Sequence, residues 1–301
     1  MDHNSYLPES NMPVCHITAE KLKTAERTGA VLSAVAVLCD RGLDLAVRLG
    51  DRIGVIPHDE CVFEPTGENI KDIAIISRVG KPVCFKVIDA DAETPILSRR
   101  LAQKECFEAY LSHLIPGDVI TARVTRLESF GAFCDIGCGI AALMPVDRMS
   151  VSRIAHPRDR FYQGQSIKAV VRTNQGGRIS LSHKELLGTW LENASRFEPG
   201  QTAAGIIRAI EPYGIFVELA PNLAGLAELC DGVCVGETAA VHIKSIIPQK
   251  MKVKLVLVDS FVSERAAAEY TYPDVDRIDY WRYSPACRDK VIETVFDGTE
   301  Q

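Results

Sequence analysis

No apolar run in this chain approaches the ~18 residues that a membrane-spanning helix needs. The N-terminal stretch MDHNSYLPES lacks the basic-then-apolar order of a secretory signal, so a cytoplasmic protein without a membrane partner is expected. The chain also lacks the sequence signatures of catalysis. It contains no G-x4-GK[ST], HExxH, G-x-S-x-G or G-x-G-x-x-G, and nothing points to an enzyme or a cofactor. Ten cysteines are present in 301 residues, but they are scattered rather than framed as a small disulfide scaffold, so reduced thiols are expected. Cys134–Cys138 and Cys230–Cys234 have a spacing that zinc tolerates. They fall in different parts of their surroundings, however, and are not expected to converge on a metal. An excess of positive charge is missing too: the formal net charge is -6.

What is there is a duplication. PGDVITARVTRLESFGAFCDI, from Pro116, recurs as PGQTAAGIIRAIEPYGIFVEL, from Pro199. Phe130-Gly131 maps onto Tyr213-Gly214, Phe133 onto Phe216 and Leu143 onto Leu226 at one constant offset, which marks a repeated structural unit. Charge is unevenly divided between the copies. Residues 115–190 carry 10 Lys/Arg against 6 Asp/Glu, whereas residues 197–261 carry 5 against 7. Only the first copy offers the local positive patch that a polyanion requires.

The chain divides into a leader (1–27, with a helix near 19–27), a first β unit with a linker helix (28–114), the two repeat units (115–190 and 197–261) and an acidic, aromatic tail (262–301). In the first β unit, short β-branched runs at 30–38, 43–49, 53–57, 73–77, 83–89 and 96–99 read as strands, and 101–114 as a helix. In the second unit, Ile120, Ala122 and Val124 alternate with polar residues, the period of a half-buried strand. Further strands are expected at 131–136, 140–144, 166–173 and 178–182, with the longest connection between the third and fourth. Five strands so arranged suit a small Greek-key barrel of the OB type. The third unit repeats the plan, with strands near 202–210, 215–219, 225–229, 239–246 and 253–258. HKELLGTW (183–190), SERAAAEY (263–270) and residues 288–296 read as helices. The tail is expected to dock on a barrel or on a partner. The fold class is mainly β: three tandem barrels with short helices and a helical C-terminal appendage.

FGAFCDI, ALMPVDRMS and GQSIKAVVRTNQGGRISLSHKE together resemble the S1 RNA-binding domain, across nearly all of 115–190. Residues 197–261 fit in their first half. Residues 28–100 fit weakly, with Gly42 and Leu45 where the aromatics should stand. Three repeats ending in YWRYSP are similar to the short members of the ribosomal protein S1 family of Gram-positive bacteria. The resemblance implies binding of single-stranded RNA, such as mRNA, in translation or on the small ribosomal subunit.

The residues support that implication on their own terms. Strand alternation puts Ala132, Cys134 and Ile136 on one face and Phe133 and Asp135 on the other. Phe133 then joins Phe130 as a surface on which bases stack, at ~1–3 kcal/mol per base. A register slip of one residue would instead send Phe133 inward. Arg178, Arg123 and Lys168 are candidates for phosphate contact, and His183 for a phosphate or base contact or a plain surface position. Tyr213 and Phe216 form the corresponding pair in the third unit. Its negative charge, with Glu228 after the third strand, ranks that unit below the second. A second functional reading is an adaptor in RNA decay or transcription, in which the first unit and the tail contact proteins.

Overall fold

Short β-branched runs punctuated by glycine and aspartate cannot build long sheets, and here they close into small barrels. The computed structural model describes residues 6–14, 16–65, 70–263, 270–287 and 291–296. The first barrel follows α1 (Ala19–Thr28), whose N-terminus is capped by the Thr18 side chain. Its strands are β1 (Leu32–Cys39), β2 (Leu45–Arg48), β3 (Ile53–Ile56), β4 (Pro82–Asp89) and β5 (Ile96–Ser98), closed in the order β1-β2-β3-β5-β4. The run read as a strand at 73–77 is instead a helix, α2 (Ile73–Ile76), in the β3–β4 connection. A four-residue apolar run has no periodicity to separate the two states. The linker helix is α3 (Arg99–Ala109).

The second barrel comprises β6 (Val119–Glu128), β7 (Gly131–Asp135), β8 (Ala141–Pro145), β9 (Ser166–Gln175) and β10 (Arg178–Ser182). The segment after β10 is not one helix. A 3-10 turn at Lys184–Leu187 ends at Gly188, and α4 (Trp190–Ala194) follows. The third barrel comprises β11 (Thr202–Glu211), β12 (Gly214–Ala220), β13 (Leu223–Ala227), β14 (Thr238–Ile247) and β15 (Lys252–Phe261). All three barrels share one topology, with a single parallel contact between third and fifth strands, as in OB barrels. The duplication reaches the register. The bulge in β6 falls between Val124 and Arg126, and that in β11 between Ile207 and Ala209.

Segments outside the barrels bind them together. Glu9, in the N-terminal segment, is buried between the first two barrels. It receives Arg99 Nε at 2.6 Å and Nη2 at 3.1 Å, and its backbone N–H donates to Asp135 Oδ2 at 2.8 Å. Burial works against its charge, but Arg99 and Arg78 hold the Glu9 carboxyl below the usual range. Asp135, on the outer face of β7 as expected, is therefore covered rather than exposed. Burial, together with the neighbouring Glu9, pushes its carboxyl up to about 7.

The tail docks across the second and third barrels. Ile278 N–H donates to Gly117 O, and Val119 N–H to Asp276 O, both at 2.8 Å. Trp281 and Tyr283 enter the third core beside Trp190. Burying such side chains gains roughly 1.5–3 kcal/mol each, which offsets the cost of ordering the segment. The described tail is not helical: β16 (Tyr280–Arg282) pairs antiparallel with β17 (Glu293–Val295). The helix expected at 288–296 is thus a strand in its described part, and most of SERAAAEY lies outside the described residues.

Candidate nucleic-acid interface

β7 begins at Gly131 because a side chain there has no room. A Cβ would lie 2.5 Å from the Met144 carbonyl oxygen on β8. The glycine lets the two strands close, and Phe130, just before it, stays 54% exposed. The Val146 N–H donates to the Phe130 carbonyl at 3.0 Å and fixes the turn. Ala132, Cys134 and Ile136 are buried in the core. Phe133 therefore points outward, and the register is the unslipped one. The Phe130 and Phe133 rings meet edge to face, 6.0 Å apart at 89°. Arg126 on β6, paired with Phe133 on β7, holds its guanidinium 5.0 Å from that ring centroid. Leu143 and then Ser180 continue the row across β8 and β10. Arg178, two residues before Ser180, is exposed on the same face of β10.

The remaining candidates are placed elsewhere. Arg123 donates to Asn11 Oδ1 at 2.5 Å and is partly covered by the N-terminal segment. Lys168, on β9, lines a cavity with Tyr6, Asp118, Asp276 and Arg277, and β6 separates it from β7. His183 is not a surface residue, because it is 0% exposed. Its ring lies among Phe161, Tyr270 and Tyr272. Nδ1 is 3.2 Å from the Met149 carbonyl, which only accepts, so Nδ1 carries the proton. Nε2, 3.0 Å away, accepts from the Tyr272 hydroxyl. Burial pushes the His183 pKa down to about 4. The RISLSH run gives no sign of this, because the covering tyrosines are far away in sequence.

The third barrel reproduces the aromatic pair. Tyr213 is 68% exposed, and its ring meets Phe216 at 6.0 Å and 89°. Ala209, Leu226 and Lys254 flank Phe216 where Arg126, Leu143 and Ser180 flank Phe133. Among the described residues the first barrel has no such surface. Leu45 is buried in its core, and the outer position paired just after the β1 bulge is Ala46. The weak match at Gly42 and Leu45 was therefore one residue out of step.

Residues 114–184 match the family described as S1 RNA binding domain. That match spans all five strands of the second barrel, the S1-like barrel. The chain is also similar to the small ribosomal subunit protein bS1 of Staphylococcus aureus (strain COL), with 33% identity over 171 residues, 54% of this chain and 43% of that protein. It is 35% identical over 161 residues to the bS1 homolog of Bacillus subtilis, covering 50% and 41%. It is 30% identical over 198 residues to the Bacillus cereus homolog, covering 62% and 50%. The chain thus spans about half the length of these relatives or less. No helix among the described residues is long and apolar enough to cross a membrane, and no group of three or more His, Cys, Asp or Glu there is suited to a metal.

Proposed function

We propose that the chain binds single-stranded RNA on the outer face of its S1 barrel and acts as a binding protein rather than an enzyme. Electrostatic attraction brings the strand to the basic second unit, and bases stack on Phe130 and Phe133. Arg126 and Arg178 supply cations on the same face. The observation that carries this reading is an outward edge-to-face pair, Phe130 exposed and Phe133 half-buried, on the barrel that matches the S1 RNA binding domain. The similarity to bS1 proteins supports mRNA as the strand, the small ribosomal subunit as the partner and the cytoplasm as the setting.

Fluorescence anisotropy with a labelled oligoribonucleotide tests the reading. The Phe130→Ala/Phe133→Ala variant is expected to lose about 2–6 kcal/mol, the stacking of two bases. An unchanged affinity would remove the platform from the mechanism. An adaptor role has one observation in its favour, the exposed apolar stretch of Val256, Val258, Phe261 and Val262 at the end of the third barrel. Copurification with a nuclease or polymerase in place of ribosomes would select it.

A further inference from the structure

The connection between β8 and β9 leaves the S1 barrel and reaches the third barrel. Val151 N–H donates to Asn222 Oδ1 at 2.9 Å, and Ser152 N–H to the Pro221 carbonyl at 3.3 Å. Immediately beyond these contacts lies a cleft of about 390 Å3. One wall is the connection, with Arg153 and Ile154. The other is the outer face of the third barrel, with Arg208, Glu211, Tyr213 and Phe216. Its size falls within the range of small-ligand sites. Each barrel alone supplies only half of it.

The two arginines in the lining differ. Arg208 is committed, with Nε 2.9 Å from Glu218 and Nη1 2.8 Å from Asp159. Arg153 is exposed, and no ion-pair partner is recorded for it among the described residues. The third barrel carries a stacking pair of the same geometry as the S1 barrel but is net negative and has no arginine in the place of Arg126. Arg153 brings the missing cation from the neighbouring barrel.

We propose that this cleft is a second RNA-binding site, composed from two barrels, in which a base stacks on Tyr213 and Phe216 while Arg153 holds an adjoining phosphate. The inference rests on the RNA reading of the S1 barrel and extends it. It assigns Arg153 a role that no residue of the third barrel fills. It also makes the fixed relation of the two barrels part of the binding surface.

The test uses the full chain and a fluorescein-labelled oligouridylate of about 12 nucleotides, within the reach of OB barrels. Anisotropy is read over a series of salt concentrations. Tyr213→Ala/Phe216→Ala is expected to weaken binding by about 5- to 150-fold, the loss of one stacked base. Arg153→Gln is expected to weaken binding and to lower the salt slope by about 0.7, one phosphate contact on a single strand, and Arg153→Lys to restore that slope. Arg153 is exposed, so its variants should melt like the wild type, and because Phe216 is half-buried the double variant is compared at a temperature below its own melting transition. If both variants stay within about twofold of the wild type while Phe130→Ala/Phe133→Ala loses affinity, the composite site is refuted and the S1 reading stands. If Arg153→Gln weakens binding with no change of slope, its phosphate role is refuted. If the wild type fails to bind at low salt, both readings fall.

Discussion

Replacing Glu218 by alanine should separate the second and third barrels. Glu218 lies on β12 and is almost wholly buried. Arg160, from the β8–β9 connection, grips it with Nη1 at 2.8 Å and Nη2 at 2.6 Å, the two-pronged geometry that guanidinium and carboxylate favour. Arg160 Nε also donates to Ser150 Oγ at 2.9 Å, and Arg208 approaches the same carboxylate from its own strand. Removing the carboxylate leaves two guanidinium groups with little access to water. Breaking a buried pair in this way costs about 3–5 kcal/mol. For a two-barrel unit of about 150 residues, each kcal/mol shifts Tm by about 2–4 °C, so the expected drop is about 6–20 °C. Scanning calorimetry measures it, and the wild-type transition of the two barrels should split in the variant. Arg160→Leu with Glu218→Leu removes the clasp pair and leaves Arg208 its Asp159 partner, so it should cost less than Glu218→Ala alone. A Glu218→Ala shift below about 2 °C with one unsplit transition would show that the clasp carries no coupling.

Two further outcomes follow from buried groups. His183 titrates near 4 in the fold against 6.5 when free. The unfolded chain therefore takes up a proton that the fold resists, and stability falls as pH drops from about 6.5 to about 4, by on the order of 3 kcal/mol. Asp135, raised to about 7, acts with the opposite sign in the same window. Urea midpoints of wild type and His183→Gln across that range isolate the histidine, and parallel curves would refute its role. At the β7 turn, Gly131→Ala drives a Cβ to 2.5 Å from the Met144 carbonyl oxygen, an overpacking expected to cost about 1–3 kcal/mol. Gly214→Ala meets the Ala227 carbonyl oxygen at 2.6 Å with φ at 149°, so it should cost at least as much by chemical denaturation, and a neutral result at both would refute the close-approach account.

The repeat was legible because it is local. The spacing of aromatic, glycine and second aromatic follows from one strand and one turn, and alternation in the unslipped register sends Phe133 outward. The OB order could be read from strand count and the long third connection. What escaped the sequence is what distant segments do to these surfaces. Asp135 and Arg123 read as an exposed acid and base, but the N-terminal 3-10 turn Glu9–Asn11 lies over them. His183 reads as a surface residue at the end of a strand, and only the tail tyrosines bury it. Residues 288–296 read as a helix because Val291, Ile292, Val295 and Phe296 are spaced as one helical face allows, a spacing that a short strand of the hairpin also accommodates. In the structure Trp281 is buried and Tyr280 stands out, as a strand requires.

The same covering changes how the basic charge of the S1 unit must be counted. Arg160 is neutralised inside the clasp, Arg126 is shared with Glu128 at 2.9 Å and Arg148 with Asp147 at 3.2 Å. The surplus that remains for a polyanion is therefore carried by few side chains, and their placement matters more than the sum. Among the described residues the first barrel has no aromatic pair on the corresponding face, and its unit has no net positive charge. The S1 barrel has both. The third has the pair and, across the cleft, Arg153 from its neighbour. A flexible linker would make that loan costly, since the cleft would have to be assembled at each encounter. The buried Arg160–Glu218 clasp removes that cost in advance. It follows that Glu218→Ala should weaken RNA binding even though Glu218 is too deeply buried to meet the strand. The loss should appear in full on the Phe130→Ala/Phe133→Ala background and vanish on the Tyr213→Ala/Phe216→Ala background.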